Sequence, residues 1–157
     1  MTSEKLLATP IRSERSQMAL YAAAAIVSLA GLADAIYLTV EHLSGRSVRC
    51  TVISGCSEVL SSPYATIGGI PLAAVGAAAY FLVFSLATLA AFKYSFAGKL
   101  LSVVVGLMFL TTLWLLYLQA FVIRHFCQFC LLSAAVTITL TVIVIIVRRH
   151  SFISNRA

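Results

Sequence analysis

Charged side chains are scarce in this protein: Asp, Glu, Lys and Arg make up only 10% of its 157 residues. A soluble domain carries roughly 25% of them, so this chain lacks the polar surface that a water-soluble globule needs. Glycine and proline are also few, with eight and three residues, and a disordered or collagen-like chain is excluded because both need a polar or glycine-dominated composition. Hydrophobic residues make up 61%. The composition therefore predicts an integral membrane protein.

Four apolar stretches are long enough to cross a bilayer, whose hydrocarbon core of about 30 Å needs about 20 helical residues. They are residues 18–40, 70–92, 100–123 and 128–147. We predict helices, because membrane β-strands would be shorter and alternate in polarity. The predicted fold is an all-α integral membrane protein with a four-helix bundle over residues 18–147, between tails at 1–17 and 148–157. Ala33-Asp34-Ala35 is similar to a signal-peptidase site, but the apolar run around it is longer than a signal core, and we expect this segment to be retained.

The distribution of lysine and arginine predicts the orientation of the bundle. Four spans put both termini on one side, and that side holds eight cations against three on the other. The eight are Lys5, Arg12, Arg15, Lys93, Lys99, Arg148, Arg149 and Arg156, and the three are Arg46, Arg49 and Arg124. Because cytoplasmic loops are enriched in Lys and Arg, we predict cytoplasmic termini and outward-facing first and third loops. The net charge of +6 then reflects topology, and we expect no nucleic-acid partner.

All four cysteines lie on the predicted outer side. Cys50 and Cys56 are in the long first loop, and Cys127 and Cys130 form a CxxC where the last helix begins. An even number of cysteines in an oxidising compartment indicates disulfides. A thiol at a helix N-terminus is favoured as the thiolate, the form that attacks disulfides. Two such pairs in series are able to relay electrons through mixed disulfides.

Two other uses of the cysteines stay open. Four thiolates bind zinc in many proteins, although the x5 spacing is looser than in most zinc knuckles. Two inert disulfides would instead staple the outer loops of a non-enzymatic membrane scaffold, although CxxC is a poor choice for a staple. Both alternatives are weaker than the redox interpretation.

Several motifs accompany the cysteines, in the order Cys50-x5-Cys56-Ser57, Ser61-Ser62-Pro63-Tyr64, Gly69-Ile70-Pro71, Gly76, Tyr80 and the CxxC. With them the chain resembles the vitamin K epoxide reductase (VKOR) family over residues 20–147, in the form of a bacterial homologue. The resemblance implies a four-helix bundle that holds a quinone, ubiquinone or menaquinone, near the outer leaflet. It implies that Cys130 reduces the quinone and that Cys127 is its disulfide partner. Cys56 would exchange with Cys127, and Cys50 would accept electrons from a thioredoxin-like partner.

The implied function is that of a thiol oxidoreductase of the bacterial plasma (inner) membrane. It would oxidise a DsbA-like protein, reduce quinone and so support disulfide-bond formation in exported proteins. Many bacterial members carry a fused thioredoxin-like domain after the last helix, whereas this sequence stops at Ala157, so we expect a separate partner. Ala134 stands where vertebrate vitamin K enzymes have a tyrosine, which favours quinone over epoxide reduction. A DsbB-like protein would catalyse the same reaction with its two cysteine pairs in the opposite order.

Four further residues are candidates for binding the quinone. Asp34 is the only charged residue inside a predicted span, and it would either donate a proton to reduced quinone or reach water at the interface. Ser57 would hydrogen-bond a quinone carbonyl or a thiolate, or cap the segment that follows it. Trp114 and Tyr117 share a helix face that would wall a quinone pocket, unless it serves ordinary packing.

The long first loop also carries an apolar segment, Ser61–Ile67, that is suited to lie flat on the end of the bundle. We predict that it forms a short lid.

Overall fold

The computed structural model describes residues 3–45 and 55–154, with side chains in 14–45, 55–94 and 96–150. Within these ranges the helices are α1 (Ser3–Leu43), α2 (Cys56–Leu60), α3 (Leu72–Ala91), α4 (Ser95–Tyr117) and α5 (Gln128–Ser154). A π-helical segment, Leu118–Ile123, continues α4 directly. Between α2 and α3 lie a 3-10 turn at Pro63–Ala65 and the strands β1 (Thr66–Ile67) and β2 (Ile70–Pro71), which pair antiparallel.

Four helical segments are long and apolar enough to cross a membrane. They are Glu14–Leu43, Leu72–Ala91, Phe96–Ile123 and Gln128–His150. Helices α1 and α4 each pack against both α3 and α5, so the four long helices form a closed ring. The predicted four-helix membrane bundle is confirmed, and the protein is a multi-pass membrane protein.

Several helix boundaries differ from the sequence prediction. The second span begins at Leu72 rather than at residue 70, because Ile70 pairs with Ile67 in the hairpin and Pro71 has no N–H to continue a helix backwards. Helix α1 starts at Ser3 and α5 continues to Ser154, so helical structure extends into both predicted tails. The cytoplasmic location of those tails stays a prediction.

Tyr80 joins three helices in the middle of the bundle. Its side chain is only 2% exposed, and its hydroxyl lies 2.7 Å from Ser133 Oγ and 3.0 Å from Thr137 Oγ1 on α5. A Cβ atom placed on Gly31 of α1 would lie 2.5 Å from the Tyr80 ring. Because Gly31 has no side chain, the Tyr80 ring on α3 lies directly on the backbone of α1.

The bundle has two chemically different ends. We call the end that holds Cys56, Cys127 and Cys130 the cysteine end. At the opposite end, Lys93 Nζ lies 3.0 Å from Glu14 Oε1 and so links α1 to the connection between α3 and α4. A central core of packed apolar side chains, including Val83, Leu101 and Leu140, lies between the two ends.

Candidate functional site

The first-loop and CxxC cysteines meet at the cysteine end. The Sγ atom of Cys127 lies 3.6 Å from that of Cys56, and both side chains are fully buried. Cys56 is disulfide-bonded, whereas Cys127 and Cys130 are free thiols. Since a thiolate must approach a disulfide sulfur to exchange with it, Cys127 is positioned for exchange with Cys56. Cys50 lies outside the described residues, so its pairing and its role stay predictions.

Gly55 brings Cys56 close to the connection before α5. Its φ of +135° belongs to a region that L-residues with a side chain rarely adopt. A Cβ atom at this position would lie 2.9 Å from the carbonyl oxygen of Phe126 and 3.2 Å from Cβ of His125. Glycine at position 55 therefore satisfies two requirements at once, a backbone conformation and a close approach between two segments.

The π-helical segment positions a buried amide beside Cys127. Gln119 is 3% exposed, and its Oε1 accepts the backbone N–H of Cys127 at 3.1 Å. The segment ends at Arg124, which adopts a left-handed conformation with φ of 56°. π-Helical turns are rare in proteins, and those that occur often lie at functional sites. Here the turn places Gln119 where it holds the start of the CxxC.

The surroundings of Cys127 favour its thiolate. A hydrogen bond from the Cys130 thiol, together with backbone N–H groups of Cys130 and Phe129, lowers the pKa of Cys127 to about 7, although burial acts in the opposite direction. The backbone donors belong to the first turn of α5, where N–H groups lack helical partners. Because the thiolate is the attacking species, Cys127 is chemically suited to disulfide exchange near neutral pH.

A cavity of about 150 Å³ lies beside the CxxC. It is enclosed by the cysteine-end halves of the four long helices and by the segment between α2 and α3. Cys130, Tyr80 and Gln119 contribute to its wall. The predicted lid segment contributes Ser62, Tyr64 and Ala65 to the lining, so part of it borders the cavity, whereas its Ile67 is exposed.

Asp34 also lines this cavity. Its side chain is 9% exposed, and among the described residues its Oδ2 has no hydrogen-bond partner. A buried polar atom without a partner costs free energy, so such an atom in a native protein requires an explanation. The unpaired Oδ2 and Cys130 border the same small space.

Ser57 has a different environment from the one predicted. It is the second residue of α2, whose N-cap is Gly55, and it does not line the cavity. Its hydroxyl donates to Glu58 Oε2 at 2.9 Å. Because the helix begins at Cys56, Ser57 lies too late in the chain to act as the cap, and its hydroxyl is used locally by the neighbouring carboxylate.

Trp114 and Tyr117 are not brought into the cavity wall. Their rings stack at a centroid distance of 5.9 Å, as expected for neighbours on one helix face, but the side chains are 59% and 51% exposed on the outside of the bundle. The cavity is lined instead by the other face of this helix, with Leu115 and Leu116. The shared face was predicted correctly, and it points away from the cavity.

Two residues that position the site, Gln119 and Gly55, were missed in the sequence. The signal for Gln119 was an amide side chain within an otherwise apolar span, since buried polar groups in membranes are costly and usually have a role. Gly55 was marked only by its place directly before Cys56, because the need for a missing side chain depends on a segment far away in the chain.

The sequence model of the vitamin K epoxide reductase family matches residues 22–145. The match covers well over half of the chain. It includes all four cysteines and every residue described above in the cavity and in the sulfur contact.

Proposed function

Because the chain belongs to the vitamin K epoxide reductase family, and is on that basis a membrane thiol oxidoreductase, we propose that it passes electrons from an external dithiol protein to a membrane quinone. In this proposal the dithiol protein is a thioredoxin-like, DsbA-like oxidant that introduces disulfides into exported proteins. The membrane is the bacterial plasma (inner) membrane, with the cysteine end outside and both termini in the cytoplasm.

One observation carries the proposal: the contact of 3.6 Å between the sulfurs of Cys127 and Cys56. This contact joins the first loop to a CxxC whose second cysteine borders a cavity. A pair of inert staples would need no such contact. The contact supports two redox pairs in series, the first-loop pair and the CxxC, with Cys130 of the CxxC next to the cavity.

The steps balance as two electrons and two protons per cycle. The external dithiol reduces the Cys50–Cys56 disulfide and becomes oxidised itself. The Cys56 thiolate then attacks Cys127 in a Cys127–Cys130 disulfide, and Cys130 leaves as a thiolate. Attack of Cys50 on Cys56 re-forms the loop disulfide and releases Cys127.

These steps leave Cys56 oxidised and both CxxC cysteines reduced, and the disulfide at Cys56 and the free thiols of Cys127 and Cys130 are consistent with that stage. To finish the cycle, Cys127 and Cys130 give up two electrons and two protons and close their disulfide. In the earlier step, in which Cys50 attacks Cys56, Cys127 is the leaving group. Its lowered pKa supports this role, because thiols of lower pKa leave faster.

A quinone, when bound, supplies the acceptor for those electrons and protons. Apolar protein cavities of about 150 Å³ are known to take up a benzene-sized ring, and the cavity beside Cys130 has this volume. Asp34 Oδ2, which has no partner among the described residues, is suited to hold a proton at the cavity wall. Tyr80 and the lid segment line the space around Cys130.

The test is anaerobic quinone reduction by the purified, prereduced protein, followed by the absorbance of a short-chain benzoquinone. Electrons are supplied either by a small dithiol or by a purified DsbA-like protein. We expect Cys130→Ala to abolish the reaction with both donors, because the cysteine at the cavity is missing. Cys50→Ala should keep the reaction with the small dithiol and lose the reaction with the protein donor.

Equal loss in both variants with both donors would contradict the proposed order of the cysteines. A wild-type protein whose cysteines stay oxidised in the presence of the dithiol protein, with no mixed disulfide formed, would favour the scaffold alternative.

A further inference from the structure

A second cavity lies at the end of the bundle opposite the cysteines. Its volume is about 870 Å³, and it is lined by the ends of the four membrane-spanning segments together with the connection between α3 and α4. Four cationic side chains from these separate segments line it: Arg15, Lys93, Lys99 and Arg148. None of these residues belongs to the proposed electron route.

The charges in this cavity do not balance. Among the described residues that line it, Glu14 is the only acidic one, so their four cations and one carboxylate sum to a formal charge of +3. The ion pair between Lys93 and Glu14 is the only salt bridge found in the described part of the chain. Cationic groups gathered around one hollow repel each other, and an anion bound among them would relieve that repulsion.

The floor of the cavity is apolar. Met18, Leu101 and Val147 lie among its lining residues, below the cations in the direction of the central core. Tyr21 and Gly98 also line the cavity, and the Tyr21 hydroxyl would lie 3.0 Å from a Cβ placed on Gly98. The cavity therefore combines cationic and apolar side chains at the end of the membrane-spanning segments.

We propose that this cavity binds the headgroup of an anionic phospholipid. The phosphate would lie among the cations, and the glycerol and the first acyl carbons would cover the apolar floor. Topology explains why cations lie beyond the ends of spans, but it does not require that four of them converge on one cavity. Basic pockets between transmembrane helices are known to bind the headgroups of anionic lipids.

The test is native mass spectrometry of the full-length protein in detergent, titrated with phosphatidylglycerol or with phosphatidylcholine. Inorganic phosphate is titrated in a third arm. We expect phosphatidylglycerol to bind more tightly than phosphatidylcholine, and inorganic phosphate to bind weakly because it cannot cover the floor. Arg148→Gln should weaken phosphatidylglycerol binding about fivefold, as expected for one cation near a lipid phosphate.

Arg149→Gln is the matched control, because Arg149 is adjacent and exposed and does not line the cavity. It should bind phosphatidylglycerol like the wild type. Lys99→Gln should reproduce the loss and serves if Arg148→Gln fails to fold. Equal binding of the two lipids, an equal loss in Arg149→Gln, or inorganic phosphate binding as tightly as phosphatidylglycerol would overturn the proposal.

Discussion

Replacing Gly55 with alanine tests whether the close approach at that residue sets the rate of sulfur exchange. The new Cβ would lie 2.9 Å from the Phe126 carbonyl oxygen, whereas ordinary contacts begin at 3.4 Å. The two segments must therefore separate by about 0.5 Å, the difference between these distances. Cys56 is the next residue, so we expect its contact with Cys127, now 3.6 Å, to lengthen by a similar amount. A misplacement of 1 Å costs on the order of a hundredfold in rate, which gives roughly tenfold for half that distance.

The assay follows attack of Cys127 on Cys56 in a Cys130→Ser background. A bulky maleimide alkylates the thiol that is released, whereas burial shields Cys127 from the reagent. The mixed disulfide between Cys56 and Cys127 is quantified by peptide mapping at successive times. Gly45→Ala is the matched control, because Gly45 also has a positive φ of 63° but a Cβ there meets no described residue within 4 Å. Both variants store backbone strain on the order of 1 kcal/mol, and only Gly55→Ala introduces the clash.

We expect Gly45→Ala to exchange at the unmodified rate and Gly55→Ala to exchange about tenfold more slowly. Circular dichroism and the melting temperature in detergent establish that both variants are folded. A folded Gly55→Ala protein that exchanges as fast as its parent would refute the reasoning.

Three further predictions concern single side chains. The hydrogen bond from the Cys130 thiol is the largest contribution to the lowered pKa of Cys127. Attack by the Cys127 thiolate accelerates as the pH rises through that pKa. The exchange rate should therefore have its midpoint near pH 7 in Cys130→Ser, which keeps a donor, and at higher pH in Cys130→Ala. Gln119→Leu should lower the melting temperature, because a buried N–H left unpaired costs about 1–3 kcal/mol. Gly31→Ala should lower it as well, since overpacking against a buried ring costs about 1–3 kcal/mol. Gly106→Ala should not, because a Cβ there meets nothing within 4 Å in the part of the chain that the structure describes.

Each of these predictions has an outcome that contradicts it. Equal pH midpoints in the two Cys130 variants would mean that the hydrogen bond does not set the reactivity of Cys127. An unchanged melting temperature in Gln119→Leu would mean that the N–H finds another acceptor. Equal stability of the two glycine variants would mean that the Tyr80 ring moves aside at no cost.

The four spans were predictable because a bilayer accepts few structures. A backbone in hydrocarbon must satisfy its own hydrogen bonds, so a charge-free run of about 20 residues becomes a helix. The start of the second span was wrong by two residues because Ile70 and Pro71 are as apolar as the helix that follows. Their hairpin pairing depends on contacts outside that window.

The site was predictable only in part, for physical reasons. Helical periodicity indicates that Trp114 and Tyr117 share a face, but in a membrane both the lipid and the bundle interior are apolar. The pattern therefore cannot tell an inward face from an outward one. Cysteine order and the family resemblance indicated that Cys56 and Cys127 act together, and their sulfurs are in contact. Gly55 and Gln119 act on partners in other segments, which no local pattern reveals.

The central core between the two cavities, with Val83, Leu101 and Leu140 among its side chains, has a bioenergetic consequence. Packed hydrocarbon conducts protons poorly, so in the proposed reaction the protons exchanged around Cys130 would enter and leave through the same face of the bilayer. Turnover would then transfer electrons to quinone in the membrane without moving net charge across it. Disulfide formation driven in this way would be electrically silent, and the respiratory chain that reoxidises the quinone would have to generate any membrane potential.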